Sequence, residues 1–228
     1  MTREIALDTE TTGLDPFSGH RVVEIGCVEM HNHVRTGNVF HCYLNPERDM
    51  PREAENVHGL SAEFLSDKPL FKQLAGAFLE FIGDAPLVIH NAAFDLKFLN
   101  AELEWAALPA IAPERAIDTV IMARKKFPGQ PANLDVLCRR FSIDLTARTK
   151  HGALLDAELL CDVYLELLGG RQSTLSLAQL QEEAARITDI AFSGHTDMPE
   201  RRFQPSSEEL AAHQAAIEKI KNALWNAA

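Results

Sequence analysis

Ile5-Ala6-Leu7-Asp8-Thr9-Glu10-Thr11-Thr12-Gly13 carries an apolar run straight into two carboxylates. In an extended chain successive side chains alternate between faces, so residues at i and i+2 share one. Asp8 and Glu10 therefore project together from the end of a strand whose apolar residues read as buried. Two neighbouring carboxylates resist ionising together. A hard divalent cation between them removes that penalty, because Mg²⁺ takes oxygen ligands and keeps positions open for water and phosphate. The same residues also fit an acidic turn after a strand, with threonine and glycine supplying loop chemistry. The choice rests on further ligands elsewhere in the chain.

Outward from that stretch the pattern is of a mixed-sheet α/β domain. Residues 3–8 read as one strand, 22–30 as a second and 39–44 as a third, which is an antiparallel meander. His31 and His33 flank Asn32 in a polar stretch that reads as a hairpin tip, either a solvated loop or a metal clip. Phe71, Leu74, Ala75, Phe78, Leu79 and Ile82 recur at helical spacing, and Gly83 is placed to end that helix. Pro86-Leu87-Val88-Ile89-His90 is a short central strand, followed by a helix through Leu96, Leu99 and Leu103. A last short strand is expected at 116–119, then helices over 119–126, 133–140 and 153–168, with Gly169-Gly170 closing the domain. Three strands, a helix, then alternating strands and helices give the fold class.

The organisation expected is a compact domain over 1–170, a linker over 171–206 and a helical tail over 207–228. The linker is polar and weakly periodic. Ser206 with Glu209 fits a capping box. Leu210, His213, Ile217, Ile220 and Leu224 then form one stripe, with Trp225 beside its end. A lone helix of this length is marginal in water, so the stripe calls for a partner.

Composition narrows the functional classes. No apolar run approaches the ~18 residues of a membrane span, and the first residues lack a signal-peptide pattern, so a cytoplasmic protein is expected. Cys27, Cys42, Cys138 and Cys161 are widely separated and read as reduced core thiols. The formal net charge of −11 argues against gripping nucleic acid by bulk electrostatics. A protein of this charge that works on DNA needs something else to hold it there.

Two further acidic positions complete a constellation. Asn91-x-x-Phe94-Asp95 sets a carboxylate where a helix begins, beside the strand that precedes it. Strand ends in an open α/β sheet share one crevice, where Asp95 can meet Asp8 and Glu10. His151-Gly152-Ala153-Leu154-Leu155-Asp156 puts Asp156 about one turn into an apolar helix and His151 at its mouth. Taken singly, Asp95 also fits an acid complementing a helix dipole, His151 a capping residue and Asp156 an exposed helical acid. Jointly, D-x-E, N-x-x-F-D and H-x-x-x-x-D in this order point to one site.

These stretches resemble the three motifs of the DEDDh branch of the DEDD 3′-to-5′ exonuclease superfamily, and are most similar to members that proofread for bacterial replicative polymerases. Leu7 to Gly13, Val57-His58-Gly59, Val88 to Asp95 and His151 to Ala157 carry the resemblance. It covers about residues 3–170, is poor across 171–206 and resumes around Glu208 to His213. It implies a ribonuclease-H-like five-stranded mixed sheet flanked by helices. It implies two divalent cations, Mg²⁺ or Mn²⁺, held by Asp8, Glu10, Asp95 and Asp156, with His151 as general base. Its substrate contacts would be Thr11, Glu53, His58, Asn91 and Phe94, acting on a single-stranded DNA 3′ end and releasing nucleoside 5′-monophosphates.

The same resemblance implies partners. The tail, through Leu210, Ile217, Leu224 and Trp225, would dock on the polymerase subunit. Gln172-Ser173-Thr174-Leu175-Ser176-Leu177 looks like the sliding-clamp pattern of family members, with Gln172, Leu175 and Leu177 as its anchors. Two other readings stand beside proofreading. One is a stand-alone exonuclease trimming RNA or short oligonucleotides, for which a linker and striped tail have no evident use. The other is a non-catalytic bridge between clamp and polymerase, against which the retained carboxylates and His151 argue.

Overall fold

The computed structural model describes residues 2–146, 148, 150–170 and 204–220. The chain divides into two compact units, Met1–Thr174 and Leu175–Ala228. The first contains a five-stranded sheet of β1 (Arg3–Thr11), β2 (Val22–His31), β3 (Val34–Tyr43), β4 (Leu87–Ile89) and β5 (Ala116–Asp118), in the order β3-β2-β1-β4-β5. The first three strands pair antiparallel, while β4 and β5 run parallel to β1. Seven α-helices flank the sheet among the described residues: α1 (Arg52–His58), α2 (Ala62–Leu65), α3 (Phe71–Ile82), α4 (Ala92–Trp105), α5 (Thr119–Lys126), α6 (Leu134–Arg140) and α7 (Ala153–Leu168). The mixed sheet and the limits of α3, α5, α6 and α7 match the sequence pattern closely, while α1 and α2 occupy a stretch to which that pattern assigned no element.

Alternation along β1 sorts the layers. Ile5 and Leu7, with Leu87 and Ile89, pack against Phe78 and Ile82 of α3 and against Phe98 and Leu99 of α4. Ala6 and Val88 face the other way, onto Leu160, Val163 and Tyr164 of α7 and Leu137 and Cys138 of α6. Each such fully buried aliphatic or aromatic side chain contributes about 1.5–3 kcal/mol. Even-numbered β1 residues therefore look toward α7. Glu4 accepts a hydrogen bond from Tyr164 Oη at 2.8 Å, and Asp8 and Glu10 lie further along the same side.

Two local features fix where β1 delivers its acids. β4 ends opposite Leu7, its last partner being Ile89, so β1 continues past its parallel neighbour and Asp8 stands at a crevice. On β2, Gly26 is the residue opposite Asp8. A Cβ at Gly26 would lie 2.3 Å from the carbonyl carbon of Ala153 and the amide nitrogen of Leu154. Helix α7 thus begins in contact with the strand backbone, a closeness only glycine allows, and its first turn brings Asp156 up to Asp8.

Three details differ from the sequence reading. β3 starts at Val34, because Asn32 and His33, at φ 51° and 66°, make a two-residue hairpin turn whose twist suits flanking strands on both sides. β1 runs on to Thr11, held there by β2 alone. In the second unit, helix α8 (Ser207–Ile217) has the expected capping box from Ser206 and Glu209. It ends earlier than the stripe implied, because Lys219 and Ile220 donate to carbonyls only three residues back. Leu210 and Ile220 are exposed but Ile217 of the same expected stripe is buried, while Leu224 and Trp225 lie outside the described residues. All four cysteines are free, three of them buried.

Gly26→Ala tests the close approach of α7. The added methyl meets backbone on both sides, so a loss of about 2–3 kcal/mol is expected in urea unfolding. A variant within about 0.5 kcal/mol of the parent, the range of neutral surface changes, would show that α7 does not ride on the strand.

Candidate active site

Three elements deliver four carboxylates to one crevice. Asp8 and Glu10 come from β1, Asp95 from the first turn of α4 and Asp156 from the first turn of α7. The turn into α4 passes through Asn91 at φ 72°, a left-handed conformation that asparagine tolerates better than most residues. The Ala92 amide there donates to Asp118 Oδ2 at 3.1 Å. Thr9, on the opposite face of β1 from its acidic neighbours, donates to Asp95 Oδ1 at 2.7 Å and locks that carboxylate.

The electrostatics record the convergence. Burial first, then the charges of Asp95, Glu10, Asp156 and Glu24, push the Asp8 carboxyl well above its ordinary range. Glu10 is pushed up to about 8 by burial and by Asp156, Glu24 and Asp95. Asp95 rises to about 7, chiefly through burial, with its Thr9 hydrogen bond opposing the rise. Anions so placed repel one another unless a cation joins them. The ligand atoms of Glu10, His151 and Asp156 lie within 4.8 Å of one another. A donor set of carboxylate oxygens with one imidazole suits a hard divalent cation. The residues present fit such a centre.

His151 stands at the mouth with its side chain 47% exposed, and its Nδ1 lies 3.2 Å from Asp156 Oδ2. Its backbone amide donates to Val57 O, tying the loop before α7 to the end of α1. Four contributors escaped the sequence reading. Glu24 is a fifth acid at the site, buried, opposite Glu10 in register and held by His41 at 2.8 Å. Its signal was its place two residues before Gly26 on the same strand face. Thr9 was hidden by facing away from the acids. Arg148 grips both oxygens of Asp156 at 2.6 Å and also bonds Asp135. Those two lie in no periodic pattern that pointed here.

Beside the carboxylates lies a cavity of about 610 Å³ lined by Glu10, Thr11, Glu53, His58 and Phe94, among others. Glu53 is exposed on α1. His58 is 6% exposed, and its Nε2 finds no hydrogen-bond partner among the described residues. The Thr11 hydroxyl donates to Gly13 O at 2.6 Å, leaving its oxygen only as an acceptor. Phe94 packs on Phe98, with ring centroids 5.0 Å apart. Asn91 is exposed on the turn into α4 and is not among the residues lining the cavity. At the hairpin, His33 meets Glu4 at 2.7 Å, and the hairpin histidines join no metal-capable group among the described residues. Gln172, Leu175 and Leu177 lie outside the described residues.

A family model described as Exonuclease matches residues 5–164. The DNA polymerase III subunit epsilon of Rickettsia felis is 51% identical over 221 residues, covering 96% of each chain. That of Escherichia coli K12 is 42% identical over 245 residues, covering 100% of this chain and 98% of the relative. Among solved structures, Exonuclease X in complex with 5′ overhanging duplex DNA superposes with a TM-score of 0.57 at 22% identity, over 72% of this chain and 90% of that one. The nuclease domain of 3′hExo, described as a DEDDh family member bound to rAMP, gives 0.61 at 17% identity, over 73% and 91%. These structural likenesses speak to the fold.

Asp8→Asn tests the repulsion directly. The wild-type acids hold raised pKa values when folded, so the folded state binds more protons than the unfolded one and stability falls as pH rises from about 4 to 8. In EDTA the variant is expected to melt several degrees above wild type at about pH 8, with a smaller gain at about pH 5. A lower melting temperature at the higher pH counts against the clustered geometry.

Proposed function

This chain belongs to the exonuclease family and, within it, to the DNA polymerase III epsilon subunits, and from that premise we propose how its site and tail do their work. It is a 3′-to-5′ exonuclease acting within DNA polymerase III, the proofreading activity that removes mispaired 3′-terminal nucleotides. The observation that carries the chemistry is the meeting of Asp8, Glu10, Asp95 and Asp156 in one crevice with His151 at its mouth. A DEDDh exonuclease depends on divalent metal, and Asp8, Glu10, Asp95 and Asp156 would hold two such ions, Mg²⁺ or Mn²⁺. Ions held there would supply Lewis-acid stabilisation of the charge that develops in a phosphodiester displacement.

The protein's own groups supply the rest. In the tautomer whose Nδ1 donates to Asp156, His151 takes a proton from water at Nε2 as general base. The water oxygen bonds to phosphorus, the bond to the upstream 3′ oxygen breaks, and a nucleoside 5′-monophosphate leaves. The unpartnered Nε2 of His58 and the exposed carboxylate of Glu53 reach the terminal sugar or base from the cavity rim. Thr11 accepts a hydrogen bond there, Asn91 borders the crevice, and Phe94 packs beneath the terminal nucleotide.

A net charge of −11 gives weak intrinsic hold on a polyanion. Tethering replaces it, since a short linker gives an effective concentration up to roughly mM. The tail, 207–228, docks on the alpha subunit of DNA polymerase III through Leu210, Ile217, Leu224 and Trp225. The Gln172, Leu175 and Leu177 segment engages the sliding clamp, within a linker over 171–206. The site of action is the cytoplasm; no described helix is long and apolar enough to cross a membrane. Identity that runs through the tail of a polymerase subunit favours this reading over a stand-alone trimming enzyme.

Incubation with a 3′-mismatched primer and Mg²⁺ is expected to release nucleoside 5′-monophosphates, and His151→Ala to lower kcat by about 10²–10⁴-fold. Full activity in the variant would remove His151 from the role of base. Deleting 207–228 is expected to spare hydrolysis of free single strands and abolish co-elution with the alpha subunit. Retained co-elution would refute the tail assignment.

A further inference from the structure

Arg148 lies three residues before His151, with a side chain only 7% exposed. Its Nε and Nη2 donate to Asp156 Oδ1 and Oδ2, both at 2.6 Å, which is the bidentate fork that makes the tightest guanidinium–carboxylate contacts. Its Nη1 donates to Asp135 Oδ1 on α6, and Nη2 lies 2.8 Å from His151 Nδ1. Arginine has donors only. At that contact Nδ1 must therefore accept, and in a neutral ring the single proton must sit on Nε2. The nitrogen assigned to take a proton from water is then already protonated.

The fork also uses two of the roughly four lone-pair directions of the Asp156 carboxylate. It sets a fixed positive charge on an oxygen pair that a divalent ion needs. We infer that Arg148 is a protein-borne cation that competes with the divalent ion for Asp156 and, while it holds that seat, keeps His151 in the tautomer that cannot act as base. This rests on reading the four carboxylates as a divalent-cation centre. Loading the ion and freeing the base become one event. When the guanidinium lets go, Asp156 Oδ2, 3.2 Å from Nδ1, stays beside it as an acceptor. The ring proton then belongs on Nδ1, and Nε2 is open. Asp135, whose side chain is 41% exposed, keeps its hold on Nη1 and gives the released arginine an ionic partner outside the crevice.

The test uses full-length wild type, Arg148→Gln and Arg148→Lys, freed of metal by chelation and dialysis. Mn²⁺ binding is followed by calorimetry, and imidazole ¹⁵N resonances are recorded before metal is added, at alkaline pH where imidazole is neutral. Arg148→Gln is expected to bind Mn²⁺ on the order of ten-fold more tightly, having lost a unit charge a few ångströms from the ion. Arg148→Lys, which keeps the charge and loses the fork, is expected to fall between. His151 is expected as the Nε2–H tautomer in wild type and the Nδ1–H tautomer in Arg148→Gln. Equal or weaker Mn²⁺ binding by Arg148→Gln overturns the competition and leaves Arg148 a clip between α6 and α7. If that variant does not fold, Arg148→Lys decides, and an affinity at or below wild type overturns the proposal. A wild type that binds no Mn²⁺ removes the centre itself and the proposal with it, which separates the two failures.

Discussion

Like-charge repulsion inside a shared crevice is the constraint on which this structure turns. The charges of Asp95, Asp156 and Glu24 add to burial in pushing the carboxyls of Asp8 and Glu10 upward. No packing preference would bring these groups together, because burying unpaired carboxylates costs stability. The fold therefore holds them on regular elements, β1, α4 and α7. One pair is set by strand alternation, one acid by a helix that begins directly after β4, and one by a helix seated on the sheet. The cost is recovered when positive charge enters, whether from a guanidinium or from a divalent ion.

The second requirement is closeness. Helix α7 can lie on the sheet only because small residues clear its path, Ala6 on β1 and Gly26 on β2. Gly26 is opposite Asp8 in register, so the residue that admits the helix sits beside the residue the helix must reach. Thr9 works on the other face of the same strand, where its hydroxyl fixes Asp95. β1 thus organises acids arriving from both helical layers, and its length beyond β4 opens the place where they meet.

The chemistry of the site also bears on the charge of the whole chain. The carboxylates that make the centre also add to the net charge that weakens attraction to nucleic acid. Helix α8, capped at Ser206, leaves Leu210 exposed, and Ile220 is exposed just beyond its end.

Much of this was legible in the chain itself. Alternation placed Asp8 and Glu10 on one face, helical spacing gave the limits of α3, α5 and α7 nearly to the residue, and the capping box at Ser206 announced the last helix. These are local properties, set by backbone geometry and by which side chains a strand or turn accepts. The sequence also determined which acids are candidates, through three spaced motifs. Only the tertiary structure decided that Glu24 is a fifth acid, that Thr9 steadies Asp95 from the far face, and that Arg148 reaches Asp156, Asp135 and His151 at once. Such contacts join residues from separate elements and irregular loops. They carry no periodicity, and distance in space is not written in distance along the chain.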